Sequence, residues 1–296
     1  MHRLGLGGIV KIVRKLLQTA AFLACNPFLA NFKGGRLYTG KWKNFCSPGL
    51  NCYSCPAAAF ACPIGAMQAV GGSVRFNFSY YVTGILLAIG LVAGRAACAF
   101  LCPFGLVQEL LHKIPSPKFK LPRSIRYVKY AVLLVFVLVL PVADTNFAGS
   151  GDPAFCKYIC PAGTLEGGIP LLLAHPELRD ALGILFSVKA AVLFLVLAAS
   201  VFVSRFFCKV LCPLGAVYGL LNKVSLARIS LDKNACTQCG ACAQKCPMDL
   251  DPVREAHPSG FITGAECIRC MDCAASCPHK AIRLTASFTS SSRRRE

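Results

Sequence analysis

The sequence predicts a mainly α protein: four transmembrane helices in two pseudo-repeated halves, followed by a small, cysteine-rich α+β domain at the C-terminus. Three observations carry this. Apolar residues make up 55% of the 296 positions and mean hydropathy is +0.56, too apolar for an ordinary water-soluble domain. A Cys-Pro-x-Gly tetrapeptide begins at Cys62, Cys102, Cys160 and Cys212, and internal similarity of this kind marks duplicated halves. Near the C-terminus, eight cysteines fall into two runs of identical spacing.

The spans come first. Apolar stretches cover about 16–32, 79–98, 127–143 and 183–207, and a crossing helix needs about 20 apolar residues. The first stretch is short and contains Asn26-Pro27. With both termini cytoplasmic, the inner segments hold Arg3, Lys11, Arg14, Lys15, the basic residues from Arg95 to Lys129, and those from Arg205 onward. The outer loop before the fourth span is acidic, with Asp144, Asp152, Glu166, Glu177 and Asp180. This follows the positive-inside rule and describes a multi-pass protein of a prokaryotic cytoplasmic (inner) membrane. Lys33, Arg36, Lys41 and Lys43 fall outside against the rule. Removing the first span would instead expose Lys113–Lys129, a larger violation. A basic start with an apolar run ending at Cys25 also resembles a secretory or lipoprotein signal; cleavage there leaves the later topology unchanged. Lys189, near the outer end of the fourth span, is read as snorkelling to the interface.

Cys236, Cys239, Cys242 and Cys246, followed by Pro247, form a C-x2-C-x2-C-x3-C-P run, and Cys267, Cys270, Cys273 and Cys277 with Pro278 repeat it. This is the thiolate pattern of a two-cluster bacterial ferredoxin, in which the fourth cysteine of each run ligates the other cluster. One [4Fe–4S] cluster therefore takes Cys236, Cys239, Cys242 and Cys277; the second takes Cys267, Cys270, Cys273 and Cys246. Zinc knuckles space their C-x2-C pairs more widely and do not need the Cys-Pro ending. The predicted organisation is a membrane domain at 1–228, a double [4Fe–4S] domain at 229–285, and a disordered basic tail at 286–296 with Arg293, Arg294 and Arg295.

The remaining cysteines show order too. Three Cys-Pro-x-Gly copies carry a second cysteine four positions earlier, at Cys98, Cys156 and Cys208. A spacing of four sets both sulfurs on one helical face, proline bends the backbone and glycine permits close approach. One pair is half of a four-thiolate cluster, so Cys98, Cys102, Cys208 and Cys212 are expected to share a cubane on the inner side, one pair per half. The outer side offers Cys46, Cys52, Cys55, Cys62, Cys156 and Cys160. Where the repeat expects a cysteine, the chain has Ala58, so Cys55 is the first choice to complete an outer set with Cys62, Cys156 and Cys160. Cys46 and Cys52 are left to replace members, bind something else, or form a disulfide. Structural Cys-Pro turns with inert thiols are the bland alternative for both sets. Cys25 reads as a small apolar packing residue. The five histidines, His2, His112, His175, His257 and His279, all lie outside the firm spans, so no paired-histidine haem is expected.

The net charge of +19 is spread along the flanks of apolar stretches, and no recognition motif accompanies it, which argues against nucleic acid. The C-x3-C-P-x-G copies joined to a double-cluster run resemble the membrane-bound polyferredoxins of the NapH/NosR type, from about Leu16 to Leu284. The resemblance implies electron transfer from quinol or a cytoplasmic donor toward periplasmic reductases. The chain departs from the NosR branch in lacking a large flavin-binding domain, and it has the additional cysteines Cys46 to Cys62.

The function expected is thus relay of electrons through [4Fe–4S] clusters, between a cytoplasmic donor or the quinol pool and a membrane or periplasmic redox partner. Lys233, Lys245, Arg254, Arg269, Lys280 and Arg283 could steer acidic partner proteins. The inner and outer thiols are expected on opposite sides of a hydrocarbon core about 30 Å thick, which calls for a quinone or another mid-membrane cofactor between them. A quinol dehydrogenase is a second reading, with Glu109 its nearest carboxylate. A maturation, metal-handling or regulatory role using Cys46 and Cys52 is a third. No nucleotide, flavin or hydrolytic motif is present.

Overall fold

The computed structural model describes residues 6–72, 80–143, 151–256 and 259–286. The basic tail beyond Ala286, together with His2, Arg3, Asp144 and His257, lies outside them.

Helix α1 (Leu6–Cys25) starts nearly three turns before the predicted first span and stops well short of its end. Pro27 has no amide hydrogen and disfavours helix at the residue before it. Asn26 Nδ2 donates back to Phe22 O at 3.0 Å and to Asn51 Oδ1 at 2.9 Å. The stretch 16–32 is therefore not one helix, and α1 carries Lys11, Arg14 and Lys15 within it.

Helices α2 (Pro63–Gly71) and α3 (Tyr80–Ala93) follow. At about 1.5 Å per residue, the 14 residues of α3 rise about 21 Å, less than the stretch 79–98 predicts. The cause is Gly94, at φ 58°, which breaks the helix before a short piece, Ala96–Phe100, that carries Cys98. After α4 (Pro103–Leu111), the long helix α5 (Arg123–Ala143) and then α6 (Ile184–Phe202) are, among the described residues, the two helices long and apolar enough to cross a membrane. They correspond to the third and fourth predicted spans. Helix α6 ends five residues early because Val203 turns extended; Arg205, at φ 51°, then starts the short piece Phe206–Val210 that carries Cys208. Helix α7 (Pro213–Leu221) leads on to the sheet. Apolar side chains face outward on these helices, among them Leu16 and Leu23 on α1, Leu91 and Val92 on α3, Leu134 and Leu138 on α5, and Phe194 on α6, which is 74% exposed.

The C-terminal part is a three-stranded antiparallel sheet in the order β2 (Phe261–Ile262), β1 (Ala227–Leu231), β3 (Ile282–Ala286). Ile229 stands opposite Ile262 on one side and Leu284 on the other. Ile229, Leu231, Ala256, Ile262 and Ile282 form its small core. This part does not stand apart from the helices. Met248, Leu250, Ile268 and Cys270 belong to the same apolar cluster as Leu50, Phe104, Phe207 and Tyr218. Three sets of buried ion pairs fasten the two together. Arg14 reaches Glu109 and Asp272, each at 3.0 Å. Glu266 lies between Arg95, at 3.1 Å, and Lys129. Lys209 meets Asp249 at 2.5 Å.

Candidate metal centres

All four Cys-Pro-x-Gly copies fold the same way. Cys62, Cys102, Cys160 and Cys212 are extended, and a helix begins at the following proline. Proline suits the first helical position because its missing amide hydrogen is not needed there. Each cysteine thus sits at the positive end of a helix, which favours a thiolate. The Gly215 amide donates to Cys212 Sγ at 3.3 Å.

The inner quartet, Cys98, Cys102, Cys208 and Cys212, is buried and gathered in one place. Burial, and after it Cys208 and Cys98 alongside, push the Cys102 thiol up to about 12. Cys212 is raised by burial, then by Cys208, Cys98 and Cys102. Such a group carries negative charge only where positive charge compensates it. Two buried arginines stand there in reciprocal positions. Arg205 Nη1 donates to Cys98 O at 3.0 Å, and Arg95 Nη2 donates to Cys208 O at 3.3 Å. The motif glycines make room for them: a Cβ on Gly215 would lie 3.1 Å from Arg95, and one on Gly105 3.3 Å from Arg205.

Sequence reasoning missed these arginines and a glutamine. Gln108 Nε2 donates to Cys208 Sγ at 3.2 Å while its Oε1 accepts from Phe207 N at 2.9 Å. Gln68 does the same on the outer side, to Cys156 Sγ at 3.2 Å and from Phe155 N at 2.8 Å. The signals were present: glutamine stands six positions after both Cys62 and Cys102, and arginine three positions before both Cys98 and Cys208. Replacing Gln108 with leucine removes a donor to sulfur and orphans a buried amide, which costs about 1–3 kcal/mol. Sulfur hydrogen bonds stabilise the more negative, reduced state. The variant's membrane-domain iron–sulfur signal is therefore expected at a lower midpoint potential in an EPR-monitored titration; an unchanged potential would refute this role.

In the C-terminal part, Cys236, Cys239, Cys242 and Cys277 line one cavity. Cys246, Cys267, Cys270 and Cys273 line another. The second is next to the inner quartet: Arg95 Nη1 donates to Ala265 O at 2.9 Å, two residues before Cys267.

On the predicted outer side, a cavity of about 460 Å³ is lined by Cys52, Cys62, Cys156 and Cys160. Cys55, the first choice from sequence, faces elsewhere, its Sγ 3.1 Å from Glu166 O. Cys46 lies beside the set, in a bridge with Ala61, and Cys25 is buried. Lys189, read as snorkelling, lines the thiol cavity. Glu166 lies in the interior instead of an acidic surface loop. Burial lifts its carboxyl to about 7 against a hydrogen bond from the Cys52 amide, which is 2.9 Å long.

The inner and outer sets are not a membrane thickness apart. Residues 46–62 enter the interior, with Leu50 and Asn51 fully buried and Pro48 O accepting from Tyr218 Oη at 3.1 Å. A Cβ on Gly49 would lie 2.8 Å from Cys102 Cα. The next two residues, Leu50 and Asn51, line the outer cavity together with Cys52 and Cys62.

Every donor in these sets is sulfur, which suits iron–sulfur clusters, zinc or copper(I). Among the described residues, no three His, Cys, Asp or Glu side chains converge on a single ion. Ligands at the corners of a cubane stand farther apart than ligands to one ion, so the thiol sets fit clusters better. Residues 78–122, 130–170 and 188–231 each match the 4Fe-4S binding domain, and 235–282 match the 4Fe-4S dicluster domain. The chain is a ferredoxin-type [4Fe–4S] electron-transfer protein. Relatives of this ferredoxin-type protein include an uncharacterized protein of Methanocaldococcus jannaschii, 28% identical over 71% of this chain and 72% of its own. The methylamine utilization ferredoxin-type protein MauN of Paracoccus denitrificans is 30% identical over 60% of this chain and 57% of its own. The regulatory protein NosR of Pseudomonas aeruginosa is 29% identical over 62% of this chain, which spans only 24% of NosR. No solved structure matches.

Proposed function

We propose that this protein relays electrons within a prokaryotic cytoplasmic membrane, between a cytoplasmic donor or the quinol pool and a membrane or periplasmic redox partner. The observation that carries the reading is the shared wall between the C-terminal thiols and the inner quartet, where Arg95 touches Cys208 O on one side and Ala265 O on the other. When bound, a [4Fe–4S] cluster accepts and returns one electron with no bond made or broken. Cys236, Cys239, Cys242 and Cys277 would hold one, Cys246, Cys267, Cys270 and Cys273 a second, and Cys98, Cys102, Cys208 and Cys212 a third. Arg95 and Arg205 offset the charge of the inner thiolates, and Gln108 fixes the orientation of Cys208. The outward apolar faces of α1, α3, α5 and α6 support a multi-pass arrangement, and the basic residues flanking the spans support cytoplasmic termini.

Quinol is the favoured membrane donor, because an apolar cavity of about 610 Å³ lies between α1 and α4, lined by Phe22, Leu29, Leu106, Val107 and Leu110, with Glu166 also in its wall. In vesicles, a short-chain quinol is expected to reduce the iron–sulfur absorbance, and Val107→Phe to slow that reduction about tenfold by filling the cavity. Reduction by quinol at an equal rate in the variant would remove quinol from the account. Failure of both quinol and soluble donors would overturn the relay itself.

A further inference from the structure

Half of the outer cavity comes from residues that precede the family match, which begins at 78. Cys52 and Cys62 enter on that segment; Cys156 and Cys160 come from the second half of the chain. Three independent features describe a built thiol site. The cavity, about 460 Å³, is far larger than the roughly 30 Å³ of one water molecule. The glycine of the Cys160 motif clears space for the fourth thiol: a Cβ on Gly163 would lie 3.3 Å from Cys52 Sγ and 4.0 Å from Lys189 Nζ. The Gln68 bridge between Phe155 and Cys156 matches the Gln108 bridge between Phe207 and Cys208. Cys62, Cys156 and Cys160 thus repeat the arrangement of Cys102, Cys208 and Cys212. The fourth corner, empty of sulfur at Ala58, is supplied by Cys52.

Charge compensation differs between the two sites. The inner thiols have Arg95 and Arg205. At the outer site the position three before Cys156 is Pro153, and Lys189 takes the cationic role, reaching from α6 into the cavity. This gives a physical reason for a lysine in an otherwise apolar helix.

We infer that Cys52, Cys62, Cys156 and Cys160 hold a fourth [4Fe–4S] cluster, and that the Gly49–Asn51 segment seats it directly beside the inner quartet, so that no quinone or other carrier is needed between them. The inference rests on the relay reading and extends it. One trans peptide, about 3.8 Å from Cα to Cα, separates Gly49, packed on Cys102, from Leu50, which lines the outer thiol cavity. A transfer across it oxidises one cluster by one electron and reduces the other by one, with no proton or group moved. Tunnelling falls off exponentially with distance, so contact through a single peptide replaces the membrane-thick gap that the sequence implies.

The test is iron and acid-labile sulfide per chain, with EPR, on anaerobically purified full-length protein and two variants. The wild type is expected to hold about 16 iron atoms, four cubanes. Cys52→Ser together with Cys156→Ser should lose about four and leave the C-terminal cluster signals intact, which also shows that the variant folds. In the wild type, the inner-quartet EPR signal should be broadened by the outer cluster as well as by the C-terminal one, and the variant should show a narrower signal that keeps only the C-terminal share. Cys55→Ser should change nothing. About 12 iron atoms in the wild type, or loss of iron from Cys55→Ser and not from the double variant, would overturn the fourth site while sparing the relay. About 8 would overturn the relay reading as well. An inner-quartet signal of equal width in wild type and double variant would overturn the direct coupling.

Discussion

Replacing Cys102 and Cys212 with serine is expected to remove about four iron atoms per chain and to stop transfer between the C-terminal clusters and the membrane part. The two residues come from different halves of the chain, and each starts a nine-residue helix at its proline. Removing both leaves one thiol per half, Cys98 and Cys208, which is below the four that a cubane uses. The fold should survive, since serine is close in size and both helices keep their proline starts. The eight C-terminal cysteines line separate cavities and should retain about eight iron atoms. The check is iron content together with the rate at which a membrane-side acceptor oxidises protein pre-reduced through its C-terminal clusters. An unchanged rate would mean that electrons do not pass through the inner quartet.

Glu266→Leu is expected to have the largest effect on stability. Burial alone would raise this carboxyl, but Arg95 and Lys129 together hold it below the usual glutamate range. Both cations have fully buried side chains. Without Glu266, two positive charges would remain beside each other in the interior, and breaking a buried ion pair from one side costs about 3–5 kcal/mol. The cost falls on the junction, since Glu266 belongs to the C-terminal part and its partners to the helical part. Limited proteolysis should release the C-terminal part from the variant and not from the wild type. Arg14 with Asp272 and Lys209 with Asp249 remain as the other fastenings, so loosening at the junction is expected before global unfolding. Glu266→Asp, which keeps the charge, should restore most of the resistance. Equal resistance of Glu266→Leu and wild type would show that the apolar contacts of Met248, Leu250 and Ile268 suffice.

Much of this was legible in the residues. The doubled cysteine run needs only its spacing to group the thiols, because the ligating loops are short and local. The third and fourth spans are dense in valine and leucine, and no tertiary contact is required to make them helical. The Cys-Pro step fixes a helix start wherever it occurs, which is why all four copies fold alike. Other features were out of reach for physical reasons. Residues 46–62 look like a surface loop, since prolines, glycines and alanines set no periodicity. Their burial depends on Tyr218 and Cys102, far away in sequence. Choosing Cys52 over Cys55 required the position of Gly163. Gln68 and Gln108 were readable from the repeated C-P-x-G-x-x-Q pattern, as were Arg95 and Arg205 from R-x-x-C. Lys189 was misplaced because a lysine near a span end ordinarily reaches for the interface, while here a thiol cavity is closer.

The most direct measurement is iron and acid-labile sulfide per chain on anaerobically purified, unmodified protein. The account predicts at least about 12 of each, because the membrane-side cysteines carry clusters of their own. A value of about 8 would contradict it, leaving the clusters confined to the C-terminal part and the Cys-Pro-x-Gly repeat as helix starts alone.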